Sequence, residues 1–403
     1  MLAVPLPRPY ESLTNLIAGI PFVYLKSLVM SFLFPFALAQ IPFLGDSGWL
    51  QFVVWVLLFL IFILYGQRIQ IFSMLREVEA AIRRLEALKN EVRALTIGAI
   101  KEMGKPVEDP TGKIDQILEF FTIPPVQLDP MGIVRKLEHI LDVRDQRFKD
   151  DVRRITPGAD EAVLNNLTNL LEAAVSLNYV YKQVRHFYLL GKRTSSFFVV
   201  LQIQMILPQV MMEAEAVASA AKAFILGQPL GDGVGALVAA HLMRNKTAHE
   251  IAKDIVMTES EFEGRRLFVM KAKGPGAAVG KPSDAINRIV EENGGKISLI
   301  VTVDAQVKLE GEKTGSIAEA TGVAIGGYGV DKFKIEETAS RLKVPVVAVL
   351  IKLSNIEALT PMKREVFEAA TSAVERIKGL LRERTRTGDS VIVAGIGNTV
   401  GIM

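Results

Sequence analysis

Gly274, Gly276 and Gly280 run into Lys281 along Lys-Gly-Pro-Gly-Ala-Ala-Val-Gly-Lys-Pro, and together they have the chemistry to hold an anion. Glycine lets a backbone turn tightly and approach a ligand closely, and successive free amides followed by a lysine suit phosphate. The segment matches neither standard phosphate motif. For G-x-G-x-x-G the third glycine comes one residue late. For G-x-x-x-x-G-K-[ST] the first glycine stands one residue too far away, and Pro282 replaces the hydroxyl residue that holds magnesium. A plain strand-to-helix turn explains the same residues.

Three further groups have comparable potential. Asp304 closes the apolar run Ile297 to Val303, where an acid meets ribose hydroxyls in a dinucleotide fold. With Glu310 and Glu312 it also suits a divalent cation, although charged residues around a turn are commonly just solvated. Gly326, Gly327 and Gly329 surround Tyr328, a concentration of backbone freedom that costs folding entropy. Gly395, Gly397 and Asn398 follow the last apolar run, Ser390 to Ala394. A fourth segment, Gly231-Asp232-Gly233-Val234-Gly235, reads as a binding loop that offers Asp232 and the amides of a helix N-terminus, or as an interdomain turn. Any turnover draws its acid, base or nucleophile from Asp304, Lys281, Lys352 and Asp232.

These residues need a scaffold. The apolar runs Leu267 to Lys271, Ile297 to Val303, Val344 to Leu350 and Ser390 to Ala394 read as buried strands, with helical patterns between them. Alternating strands and helices predict an α/β fold with a Rossmann-like, mostly parallel sheet over 261–403, and ligands bind such sheets at the carboxyl ends of the strands. An all-α domain is expected over 129–260, with Asp129 as N-cap before Pro130 and helices over about 160–190 and 195–226, the latter kinked at Pro208. Its run Phe197 to Val210 reads as buried core, the alternative being membrane contact. A Pro-rich linker with a short helix inside it is expected over 104–128.

The chain has 403 residues, 50% of them hydrophobic, and a mean hydropathy of +0.29. Much of that hydropathy is local. Trp49 to Tyr65 carries no charge and approaches the roughly 20 residues that cross a hydrocarbon core, which predicts a transmembrane helix within a membrane segment over 1–67. Leu13 to Leu44 is also apolar but holds Lys26 and three prolines, and reads as a second span or as a re-entrant or interfacial segment. Arg68, Arg76, Arg83 and Arg84 follow the span and place the soluble part in the cytoplasm. Over 68–103, Leu75, Val78, Ile82, Leu85, Leu88, Val92 and Leu95 form a heptad-like seam. It serves either a parallel coiled coil that builds a homo-oligomer or packing on the chain's own domain. The chain lacks cysteine, which excludes disulfides and thiolate chemistry. Its four histidines have no metal-ligand spacing, and a net charge of +3 gives no ground for nucleic acid as a partner.

The order of membrane segment, helical domain, Asp-Pro-Met-Gly-Ile-Val-Arg-Lys-Leu (Asp129 to Leu137), Lys-Leu-Glu-Gly-Glu-Lys-Thr-Gly (Lys308 to Gly315), Ala-Ile-Gly-Gly (Ala324 to Gly327) and Gly-Ile-Gly-Asn-Thr-Val-Gly (Gly395 to Gly401) resembles an uncharacterised family of archaeal membrane-anchored proteins. That resemblance implies an archaeal cytoplasmic membrane and brings no activity. Membrane-tethered diadenylate cyclases share the general plan. Only Asp304-Ala305 matches their Asp-Gly-Ala, and no Arg-His-Arg follows. The function expected from the sequence is therefore binding of a nucleotide or other phosphorylated ligand, the alternative being an oligomeric membrane scaffold without a ligand.

Overall fold

The computed structural model describes residues 48–123, 132–327 and 329–403. The stretch Leu13 to Leu44, the Asp129 cap and Tyr328 lie outside them. The helical part begins with α1 (Gly48–Met103), whose 56 residues extend about 84 Å at 1.5 Å per residue. It continues through α2 (Thr111–Leu118), α3 (Ile133–Ile155), α4 (Glu161–Thr194) and α5 (Phe197–Leu226). Asp160 caps α4 by accepting the Val163 amide at 2.8 Å.

Two faces of α1 behave differently along its length. From Trp49 to Leu60 its described apolar side chains are largely exposed, among them Phe52, Leu57 and Phe59. From Val78 onward the heptad-like seam is buried: Val78, Ile82, Leu85 and Val92 join one core with Leu170 and Leu177 of α4 and Ala214 and Ala221 of α5. The seam thus packs within the chain. Helix α5 is long and apolar enough to cross a membrane by length and composition. Only one face, with Val200, Ile203 and Leu207, is buried, while Phe198, Met205, Ile206 and Met212 on the other are exposed, so the reading of Phe197 to Val210 as buried core holds for one face alone.

A 3-10 turn (Gly231–Gly233) and α6 (Val234–Met243) lead into the sheet, whose strands are β1 (His249–Ala252), β2 (Ile255–Phe262), β3 (Arg265–Ala272), β4 (Leu299–Val307), β5 (Ile317–Thr321), β6 (Val346–Leu353) and β7 (Ser390–Gly395). The order is β1-β2-β3-β7-β4-β6-β5. Pairings β3–β7, β7–β4 and β4–β6 are parallel; β1–β2, β2–β3 and β6–β5 are antiparallel. The expectation of a mostly parallel sheet is corrected to a mixed one, because a hairpin and a short edge strand flank the parallel centre. The sheet also begins at His249, inside the stretch expected to be helical.

Helices cover both faces of the sheet. On one, α7 (Pro282–Glu292) and α8 (Val330–Leu342) bury Ile286, Ile289, Ile335 and Ala339 against Phe268, Ile300 and Ile392. On the other, α6 and α10 (Arg364–Arg384) bury Val238, Val366, Ala370 and Ile377 against Val269, Val301, Val349 and Val393. A short α9 (Asn355–Leu359) follows β6. Ala277 and Val400, in loops at the carboxyl edge of the sheet, belong to the same buried cluster as Leu164 and Phe224 of the helical part. That edge therefore faces the helices.

Candidate functional site

The first glycine segment sits between α4 and the C-terminal turn, which fill the space its missing side chains leave. A Cβ on Gly274 would stand 1.6 Å from the Ile402 carbonyl oxygen, and one on Gly276 would stand 2.8 Å from the Ala162 backbone. Gly280, at φ +66°, has the Ile255 side chain against it. The Ala277 amide donates to Asn166 Oδ1 at 2.8 Å, the Ala278 amide to the Thr399 hydroxyl at 3.3 Å, and Lys281 Nζ to the Asp142 carboxylate of α3 at 2.6 Å. These two amides and the ammonium have partners within the chain.

The last segment is packed in the same way. A Cβ on Gly395 would meet the Gly235 carbonyl oxygen at 2.4 Å, and one on Gly397, at φ +124°, would meet that of Asp232 at 2.1 Å. Asn398 is buried: its backbone amide donates to Asp232 Oδ2 at 3.1 Å and its Nδ2 to Asn169 Oδ1 at 3.3 Å. The glycines of the Asp232 turn complete this contact, with Gly233 against the Asn398 carbonyl and Gly235 against those of Val303 and Ile396.

Gly326, Gly327 and Gly329 are different. No atom lies within 4 Å of where their Cβ atoms would stand. Gly327 (φ +87°) and Gly329 (φ +81°) adopt the left-handed backbone that favours glycine, and Gly329 is the N-cap of α8. The preceding residues lie along β4, where the Ala324 amide donates to Thr302 Oγ1 at 3.1 Å and the Ala305 amide to Asp304 Oδ1 at 2.8 Å, while the Gly326 amide favours the charged form of the Asp304 carboxyl. In the first turn of α8, Asp331 accepts from the Ser283 hydroxyl at 2.6 Å, and Lys334 bridges Asp284 at 2.5 Å and Glu138 of α3 at 2.9 Å.

Asp304 is only 7% exposed. Burial raises its pKa well above the ordinary carboxylate range and the Asp232 carboxylate pushes it further, against the opposing amides of Ala305 and Gly326. The shift favours the protonated form, and a protonated carboxyl can donate to a ligand oxygen while a carboxylate accepts from a hydroxyl or amine. Among the described residues no group of three His, Asp or Glu gathers as metal ligands.

The sequence reading missed a second polar cluster, at the carboxyl ends of β4 and β6. Glu357 in α9 closes a capping box with Ser354, accepts from the Thr314 hydroxyl at 3.0 Å and pairs with Lys363 at 2.8 Å. Burial would raise its pKa, but Lys363, the Ser354 amide and Thr314 together hold it at about 2. Lys308 donates to the same Thr314 hydroxyl at 3.0 Å, and Lys352 pairs with Glu312 at 3.3 Å. The spacing Ser354-x-x-Glu357 was the available signal. With every member partnered, the cluster serves to tie the 308–315 loop to α9.

A family model described as the N-terminal domain of a protein of unknown function (DUF1512) matches residues 52–227, and the model of the corresponding C-terminal domain matches residues 230–403. The chain belongs to the DUF1512 family. The join between the two DUF1512 domains falls at the turn that ends α5 and precedes the Asp232 loop. Comparison with curated proteins and with solved structures finds no match.

The acid pair lies in the C-terminal DUF1512 domain, on the edge facing the N-terminal one. An open cleft of about 580 Å³ lies elsewhere, in the N-terminal domain, lined by Lys113, Arg147, Asp151 and Arg154 among others. Within it Asp151 pairs with Lys113 at 3.6 Å and with Arg154 at 3.7 Å. The buried Asp304 is the stronger pointer to function, because an ionisable group held in the interior carries a cost that exposed ion pairs do not.

Proposed function

We propose that the protein is anchored in the cytoplasmic membrane by the first part of α1 and binds a nucleotide or other phosphorylated ligand at the carboxyl edge of its sheet. In this reading Asp304 and Asp232 take ligand hydroxyls, and the open turn Gly326 to Gly329 brings a phosphate to the N-terminus of α8. The observation that carries it is Asp304, a buried carboxyl at the end of β4 whose charge is felt by Asp232 and by the Gly326 amide of the turn whose glycines are open. The filled glycines at 274, 276, 280, 395 and 397 act as supports for this edge, and Lys281 and Asn398 hold it to α3 and α4.

Anchoring is supported by the uncharged helix Trp49 to Tyr65, about 25 Å long, whose described apolar side chains stand free of the protein. Arg68, Arg76, Arg83 and Arg84 put the domains on the cytoplasmic side, where a phosphorylated ligand is available. The resemblance to an archaeal family agrees with such a membrane. The second reading, an oligomeric scaffold without ligand, has in its favour that the loops at Gly274 to Gly280 and Gly395 to Gly397 are filled by the chain's own atoms and leave no ligand space there.

Thermal unfolding of the detergent-solubilised chain against a nucleotide panel and inorganic phosphate separates the two. A ligand that binds only the folded state raises the midpoint by mass action. The binding reading expects a shift that Asp304→Asn removes. No shift with any panel member, together with an oligomeric mass, favours the scaffold.

A further inference from the structure

The turn between α4 and α5 has no role in the edge described above, yet its composition and position are distinctive. From Ala173 to Met212 the chain contains no acidic residue, while Lys182, Arg185, Lys192 and Arg193 are present. Lys192, Arg193, Thr194 and Ser195 are all exposed, and Phe198 just after them is 74% exposed. An aromatic ring beside adjacent basic residues, both facing water, is the composition of an interfacial membrane contact.

Its height above the membrane follows from how the helices pair. α5 runs parallel to α1, with Gln204 bonded to Glu77, Glu215 to Arg84 and Lys222 to Glu91. α4 runs antiparallel, with Tyr181 bonded to Glu86 and Tyr188 to Glu79. Near the turn, Val200 packs on Ile71 and Met74. Extending the α5 pairing toward its start sets Phe198 level with Gln67 to Ile71, about 3–9 Å beyond Tyr65. The headgroup layer on each side of a bilayer is about 5–8 Å thick. On α1 at that level Ile69 and Phe72 are also exposed, at 67% and 64%.

We propose that the α4–α5 turn is a second membrane contact, with Phe198, Ile69 and Phe72 set into the interface and Lys192, Arg193 and Arg68 on anionic lipid headgroups. This rests on the reading of Trp49 to Tyr65 as a span. With both contacts made, α1 cannot swing freely about its exit from the bilayer, because the helical part is held at two points. The carboxyl edge of the sheet then keeps a fixed height and orientation above the membrane.

The chain has no native cysteine, so single labels can be placed cleanly. The full chain is reconstituted in vesicles of zwitterionic and anionic phospholipid, with an environment-sensitive fluorophore at Thr194→Cys, Leu57→Cys or Met212→Cys, and lipids carrying a quencher at headgroup depth or in the acyl region. The expected result is headgroup-depth quenching at position 194, acyl quenching at 57 and none at 212, which lies far along α5. Adding Lys192→Glu with Arg193→Glu, or Phe198→Asp, should abolish quenching at 194 and leave that at 57 unchanged. Acyl quenching at 57 with a water-exposed probe at 194 overturns the second contact while the anchor stands. A water-exposed probe at 57 overturns the anchor and this inference with it. Quenching at 194 that survives all three substitutions overturns the assignment of these residues.

Discussion

The carboxyl edge of the sheet has a packed side and an open side, and both are marked in the sequence by glycine. On the packed side Gly274, Gly395, Gly397 and Gly231 are glycines because another stretch of backbone lies where a Cβ would be. On the open side Gly326, Gly327 and Gly329 have nothing in that place. One residue type thus answers two physical demands: close approach within the fold, and backbone freedom facing empty space. Only the second leaves room for a ligand. The buried acid lies next to the open side, where the Gly326 amide favours the charged form of Asp304.

The largest effect is expected from a methyl group added on the packed side. Gly397→Ala places a Cβ 2.1 Å from the Asp232 carbonyl oxygen at a φ of +124°, so both steric overlap and backbone strain oppose it. A loss on the order of 3–5 kcal/mol is expected in denaturant unfolding, enough to unfold a marginal domain. A native-like midpoint would show that the C-terminal turn yields easily and that this side is not close-packed.

Next in size is Glu357, whose backbone carbonyl is the atom against Gly231. Glu357→Ala removes the capping box and leaves Thr314 and Lys363 without their acceptor, a loss of about 2–4 kcal/mol. Its folded pKa, about 2, lies below the ordinary 4.5. The stability it contributes is therefore present above about pH 4.5 and is lost as pH falls toward 2. Acid unfolding curves of the wild type and the variant should converge in that window.

How much of this the sequence disclosed depended on whether the signal was local. The runs of buried branched residues gave β3, β4, β6 and β7 their places, since central parallel strands are apolar on both faces. The edge elements β1, β2 and β5 were missed because one face is open to water: β5 carries Glu319 exposed, and β2 sets Glu259 and Glu261 among Val256 and Thr258, so no continuous apolar run forms. Asp304 was readable as an acid at a strand end. Its pairing with Asp232 was not, because the two are distant in sequence. Nor was the use of each glycine, since what fills the Cβ position of Gly274 is Ile402, at the other end of the domain.

Asp304→Asn tests the open side by its pH dependence. A carboxyl whose pKa is raised by folding keeps its proton in the fold after the unfolded chain has released it. Its favourable contribution is full below the ordinary carboxylate range and is lost as pH rises through the raised folded value. The amide is never charged, so the variant should be more stable than the wild type near neutral pH, by roughly 1–3 kcal/mol, and the gain should vanish in acid. Equal pH profiles would mean that Asp304 is ionised in the fold and that a solvated carboxylate, not an acid pair, stands at the end of β4.

The smallest effect on stability is expected where the comparison is most discriminating. Gly326 has no atom within 4 Å of its Cβ direction and is not among the residues at positive φ. Gly326→Ala therefore meets neither a clash nor backbone strain, and removing glycine's extra freedom in the unfolded chain works in its favour. Its unfolding midpoint should stay within about 0.5 kcal/mol of the wild type. Gly326→Val places more bulk in the same open space, beside the turn that leads to α8. If the space is a ligand's, Val should remove the nucleotide-induced thermal shift while Ala reduces it, and neither should change the unliganded protein much. A ligand shift that persists with Val at full size would leave Asp304 as the only part of the open side still tied to binding.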